Sequence, residues 1–178
     1  MKKIFVVVIA AALIFSFASS ELSARGIIIK GGYAMMQNDL SDAQLEDQWN
    51  FGLFFDMGPF LFNSLVFRPG IDWVKYETDT VAVADVYGIH FDWYWFFMGN
   101  SAIAPFLGFG PSLNYYDFDS RRDDNEDSDA GVDVFAGVSI GIARTPLELL
   151  IEARYRFMDI AARSENILAF NLGVMYKF

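Results

Sequence analysis

Leu147, Leu149, Ile151, Ala153, Tyr155 and Phe157 alternate with Glu148, Leu150, Glu152, Arg154 and Arg156. Side chains of an extended chain point to opposite faces with period two, so this stretch has one apolar face and one mostly charged face. The pattern recurs: Trp49, Phe51, Leu53, Phe55 and Met57 oppose Asn50, Gly52, Phe54, Asp56 and Gly58. Val132, Val134, Ala136, Val138, Ile140 and Ile142 likewise oppose Asp133, Phe135, Gly137, Ser139 and Gly141. Eight such strands are predicted, near 26–37, 49–58, 65–77, 81–96, 102–118, 130–143, 147–159 and 166–178, and no segment between them has a helical period. Most reach the roughly 9–11 residues that cross a bilayer at a tilt.

Two closed architectures share this alternation. A soluble ligand-binding barrel turns its apolar face inward, whereas a transmembrane barrel turns it to lipid and keeps polar groups in the lumen. Hydrophobic residues make up 54% of the chain and aromatics 17%, yet the one long uninterrupted apolar run is at the extreme N-terminus, so the remaining apolar surface is spread by alternation. The polar faces carry glycines and the apolar faces carry the bulk, which suits a narrow interior and a lipid-facing exterior. Trp49, Tyr76, Trp93, Trp95, Tyr115, Tyr155, Tyr176 and Phe178 lie near predicted strand ends, where interfacial girdles belong. The expected fold is all-β, a membrane-spanning eight-stranded antiparallel up-and-down barrel over residues 26–178.

Lys2 and Lys3, the apolar run Ile4 to Phe17 and the small residues Ala18-Ser19-Ser20 read as a cleaved signal peptide over residues 1–20, with Ala24 as a second cut site and 21–25 as a short leading segment. Removing both lysines from the 13 basic residues leaves 11 against 23 acidic, a mature charge of −12. Such acidity excludes a phosphate-backbone partner, so no nucleic acid is expected. With no cysteine there is no disulfide framework, thiol chemistry or acylated cysteine anchor.

The connections Pro59 to Ser64, Phe97 to Ser101 and Arg144 to Pro146 are short, whereas Asn38 to Gln48 and Asp119 to Asp129 are longer and acidic. Short turns on one side and long loops on the other put both termini at the turn side. The final residues, Asn171 to Phe178, place Leu172, Val174, Tyr176 and Phe178 on one face. Asn171, Gly173, Tyr176 and Phe178 resemble the closing-strand signal of bacterial outer-membrane barrels, and the mature chain resembles the small eight-stranded barrels of the OmpA/OmpX type over nearly its whole length. The resemblance implies export, periplasmic chaperones and the barrel-insertion complex as assembly partners, and outer-membrane lipid and lipopolysaccharide as surroundings. Nothing follows Phe178, so the peptidoglycan-binding domain of many OmpA proteins is not expected here.

Inward parity predicts a lumen containing Lys30, Asp56, Arg68, Asp72, His90, Asp92, Asp133, Glu148, Glu152, Arg154, Arg156 and Lys177. Acidic and basic groups nearly balance, and in a narrow interior they pair into a network that plugs the barrel or gates a pore. Pro69 and Pro111 lack a ladder donor, and bulges are predicted there beside Gly70 and Gly110. His90, the one histidine, has no adjacent serine, although Ser112 or Ser139 from other strands are candidates to approach it. The run Asp123 to Asp129 has Ser128 where a calcium loop needs glycine and Val134 where it needs glutamate, so it reads as a solvated acidic loop, open to loose divalent-cation binding or a basic partner, and no built metal site or other cofactor is expected. Arg121 and Arg122 in the same stretch suit lipid phosphates. The sequence thus reads as a non-enzymatic outer-membrane barrel that displays acidic loops for surface structure or for an extracellular ligand. The alternative is a narrow gated channel for small solutes, and a lipid-modifying enzyme comes third.

Overall fold

The computed structural model describes residues 25–37, 48–77, 83–98, 101–118, 126–160 and 163–178. The export signal, its cut sites, most of the leading segment and the stretches 38–47 and 119–125, with Arg121 and Arg122, lie outside the described residues. Strands are β1 (Gly26–Gln37), β2 (Gln48–Asp56), the two-residue β3 (Pro59–Phe60), β4 (Phe62–Glu77), β5 (Val83–Phe96), β6 (Ile103–Phe118), β7 (Glu126–Gly141), β8 (Leu147–Ile160) and β9 (Arg163–Lys177). Consecutive long strands pair antiparallel, β1 pairs with both β2 and β9, and β2 pairs with β4. The eight long strands therefore close on themselves, which satisfies backbone groups that lipid cannot.

Closure at the turn side is tied by the termini. Arg25 N–H donates to Asp56 O (2.6 Å), Phe178 N–H to Arg25 O (2.9 Å) and Lys177 N–H to Pro146 O (2.8 Å). The tight β2–β4 connection uses left-handed backbone at Gly58 (φ 79°) and Leu61 (φ 64°), and Asp56 Oδ1 accepts from Gly58 N–H at 2.8 Å.

Burial alternates with the opposite sense to a soluble barrel. Ile29, Phe51, Leu107, Phe109, Leu172 and Val174 face outward and are exposed, while Lys30, Arg68, His90, Asp92, Asp133 and Glu152 face inward at 0–2% exposure. Eight apolar faces turned outward require a hydrocarbon solvent. Tyr33 and Trp49 pair edge-to-face across β1 and β2 at the loop side, 5.6 Å between ring centres. Trp95 stacks near Phe97 and Tyr176 meets Phe178 at the turn side. Tyr155 instead sits in the interior of β8, paired with Val134 and Leu168, and the side chain of Tyr76 lies outside what is described.

Three features differ from the sequence expectation. β7 begins at Glu126, so residues 126–129 of the acidic connection are strand, paired with Asp117 back to Asn114. Backbone pairing continues where the apolar side chains stop because that ladder is satisfied by its neighbour whatever the side chains are. Neither Pro69 nor Pro111 is bulged. Pro69 holds register opposite Phe91, and the β2–β4 ladder ends at Phe54–Gly70, just short of it. At Pro111 the β5–β6 ladder lapses between His90–Ser112 and Trp93–Phe109 without a shift, so the missing donor costs a rung rather than an inserted residue. The register shift lies instead at Pro59/Phe60.

Candidate functional site

The lumen is the candidate site, and parity along the strands stacks it in layers. At the turn end Arg68 donates to Asp56 Oδ2 from Nη2 (2.8 Å) and Nε (3.0 Å), and Glu148 bonds Ser139 Oγ and Lys177 Nζ. Lys177 is the one member of the expected set with an exposed side chain, because the strand delivers it to the mouth of the barrel.

Above this lies an apolar layer. Ile28, Phe54, Leu150 and Met175 form one buried cluster, and Tyr94, Phe96, Ala104, Phe106 and Phe135 form another. The Tyr94 and Phe135 rings are 4.6 Å apart, and the Arg68 guanidinium lies 4.6 Å from the Tyr94 ring centre. These aromatics share parity with Asp56, Asp92 and Asp133, so they point inward with the charges. The sequence reading placed bulk outside and missed this aromatic plug, although the parity of Phe54, Tyr94 and Phe135 carried the signal. The glycines opposite make room: a Cβ on Gly108 would strike the Phe135 ring, and one on Gly137 would come within 2.6 Å of Phe106 Cζ.

The charged layer is next. Lys30 Nζ lies 2.8 Å from Glu152 Oε2 and donates to Tyr94 Oη at 2.5 Å, while Tyr94 O–H donates to Glu152 at 2.7 Å. Arg154 spreads over three carboxylates: Nε to Glu152 (3.0 Å), Nη1 to Asp133 (3.0 Å) and Nη2 to Asp92 (2.6 Å). Arg156 reaches Asp133 from Nε (2.9 Å) and Asp72 from Nη2 (2.6 Å). His90 completes it, with Nδ1 2.8 Å from Asp133 and Nε2 3.0 Å from Arg156 Nη2 and 2.9 Å from Asp72. Carboxylates and bases from β1, β4, β5, β7 and β8 thus meet across the barrel axis. Toward the loops, Asn50 donates to Asn171 (2.9 Å) and Arg156 to Asn114 (3.3 Å), before a collar of Ala34, Val74, Val86, Ile167 and Ala169. Asn171, read from sequence as part of the terminal signal, is also a buried lumen residue.

This arrangement constrains the chemistry. Both nitrogens of His90 are engaged by Asp133, Asp72 and Arg156, Ser139 donates to Glu148, and Ser112 faces His90 in register with its Oγ unpartnered among the described residues. Neither serine has a hydrogen bond to the imidazole. His90, Asp92 and Asp133 offer ligand atoms within 4.8 Å of one another, but two guanidiniums already sit against them, and their charge opposes a metal cation. Beside the network is a cavity of about 10 Å³, lined in part by Asn50, Asp72, Arg154 and Arg156, with room for about one water. The filled interior has the size limit expected of eight strands.

No family model and no curated protein sequence matches the chain. Solved structures do. Neisserial surface protein A aligns with a TM-score of 0.68 at 20% identity, over 86% of this chain and 96% of that one. The outer membrane enzyme PagL aligns at 0.57 and 13% identity, over 85% and 99%. Ail, the attachment invasion locus protein of Yersinia pestis, aligns at 0.52 and 15% identity, over 87% and 99%. The shared feature is the fold, the closed eight-stranded antiparallel barrel of small outer-membrane proteins. That fold hosts an enzyme in one case and an attachment protein in another, so it does not by itself assign an activity.

Proposed function

We propose that this chain is an integral protein of the bacterial outer membrane whose plugged barrel anchors and displays acidic external segments, without catalysis of its own. The observation that carries this is Arg154, which joins carboxylates of β5, β7 and β8 across the lumen directly beside the Tyr94–Phe135 contact. A lumen closed by side chains on five strands is a stiff post rather than a conduit. The terminal residues Asn171, Gly173, Tyr176 and Phe178 serve as the insertion complex's recognition strand after export and chaperone delivery. The displayed segments face lipopolysaccharide and whatever extracellular ligand matches their acidity.

Single-channel recording of the refolded protein in a planar bilayer tests this reading. The native protein is expected to be silent, and Arg154→Ala to show small steps as the crossing is cut. Reproducible steps from the native protein would replace the anchor with a narrow solute channel. A change in lipid composition that depends on His90, lost in His90→Ala, would replace it with a lipid-modifying enzyme.

A further inference from the structure

One stretch of the lipid-facing wall is hollow. A groove of about 540 Å³ crosses β2, β1, β9, β8 and β7, walled by Trp49, Phe170 and Leu172 and floored by Gly31, Ala153 and Ala136. Glu152 and Asn171 also border it, but their side chains turn away into the lumen, toward Lys30 and Asn50. The other three long strands are filled at the surface: Phe67, Trp93 and Phe109 pair across β4, β5 and β6, with ring centres 5.3 and 5.7 Å apart. Backbone packing does not impose the hollow at Gly31. A Cβ there would meet nothing nearer than the Phe51 ring at 3.6 Å, an ordinary contact, whereas one on Gly32 would strike Asn171 and the Phe170 carbonyl. Gly32 is required inside the barrel, while Gly31 leaves open a place that a side chain could fill.

Register sets the course of the groove. Trp49, Tyr33, Phe170, Ala153 and Ala136 are successive partners across the five strands. Trp49 is one residue from the loop end of β2, whereas Ala136 is ten residues from the loop end of β7. The groove therefore opens at the loop-side boundary, beneath the Tyr33 and Trp49 rings, and slopes into the membrane. Four strand spacings of about 4.8 Å make it about 19 Å long, and across strands tilted by about 40° it descends about 12 Å, within the roughly 15 Å of one leaflet. In hydrocarbon no water fills a hollow and no hydrophobic force closes it, so it is occupied by whatever apolar body packs into it. The groove is continuous with the wall already turned to lipid, and a sloping slot of one-leaflet depth suits a flexible chain. We propose that it holds one acyl chain of an outer-leaflet lipopolysaccharide, kept in place on the barrel while the surrounding lipid exchanges. This rests on the outer-membrane reading.

Gly31→Leu combined with Ala153→Leu fills the floor from the lipid side and leaves the lumen untouched. The native protein, this double variant and Phe109→Leu on the opposite wall are refolded in detergent with equal amounts of rough lipopolysaccharide and phosphatidylethanolamine. Lipid that stays on each barrel is weighed by native mass spectrometry. One lipopolysaccharide per barrel is expected on the native protein and on Phe109→Leu, with several-fold less on the double variant. Equal retention by the double variant, no retained lipid at all, or a preference for phosphatidylethanolamine overturns the proposal. A native particle of two barrels that the double variant makes single also overturns it and assigns the groove to a second copy of the chain. Circular dichroism confirms that each variant is folded, and Ala136→Leu, further along the floor, repeats the test if the double variant fails to fold. Flotation of the native protein with phospholipid vesicles separates the two readings: flotation upholds membrane insertion even if the groove is empty, and its loss overturns both.

Discussion

Replacing Arg154 by methionine keeps most of the side-chain volume over Phe135 but removes the charge shared by three carboxylates. The three are not equally exposed to that loss. Glu152 retains Lys30 at 2.8 Å and Tyr94 at 2.7 Å, and Asp133 retains Arg156 at 2.9 Å and His90 at 2.8 Å. Asp92 is different: its Oδ2 accepts from Arg154, its Oδ1 has no hydrogen-bond partner among the described residues, and the residue is 0% exposed. Arg154→Met therefore strands one buried carboxylate, a change that costs about 3–5 kcal/mol in protein interiors. Removing both ends, in Asp92→Leu with Arg154→Met, is expected to recover more than half of that, because an apolar pair of similar volume has no stranded charge. The assay is urea unfolding of the reconstituted protein in phospholipid vesicles, followed by tryptophan fluorescence. A cost below about 1 kcal/mol for Arg154→Met, the range of solvated ion pairs, would show that water screens the network and would refute the closed lumen.

Three further outcomes follow from the same geometry. Gly137→Ala drives a Cβ into the carbonyl of Ile151 and to 3.0 Å from Glu152 Cα, backbone that cannot yield, so the same urea titration is expected to show a loss of about 1–3 kcal/mol. Tyr94→Phe removes the hydroxyl between Lys30 and Glu152 while their direct 2.8 Å pair persists, so the expected loss is only about 0.5–1.5 kcal/mol. Deleting Phe178 removes the N–H that closes on Arg25 O and the ring against Tyr176; less folded barrel should appear in the outer-membrane fraction, and normal recovery would sink the closing-strand argument.

Sequence alone determined what is local. Side-chain direction in a strand depends only on parity, so eight alternating segments, the outward apolar faces and the inward placement of Lys30, Asp92, Asp133 and Arg154 could be read without knowing any neighbour. The first strand's bounds, 26–37, match β1 residue for residue for the same reason. The start of β7 was not local: Glu126 to Asp129 are strand because β6 is there to pair with them, and their own acidity says loop. Tertiary structure also decided every partnership in the lumen. Residues 62 positions apart, Asp92 and Arg154, meet because closure through β2–β4 and the stagger of eight registers bring β5 and β8 to face one another across the axis. Parity could state that Tyr94, Phe106 and Phe135 point inward, but that they meet as one plug, and that His90 is held between Asp133 and Arg156, is set by how far each strand is shifted along its neighbour. That shift accumulates around the whole barrel, and no single segment encodes it.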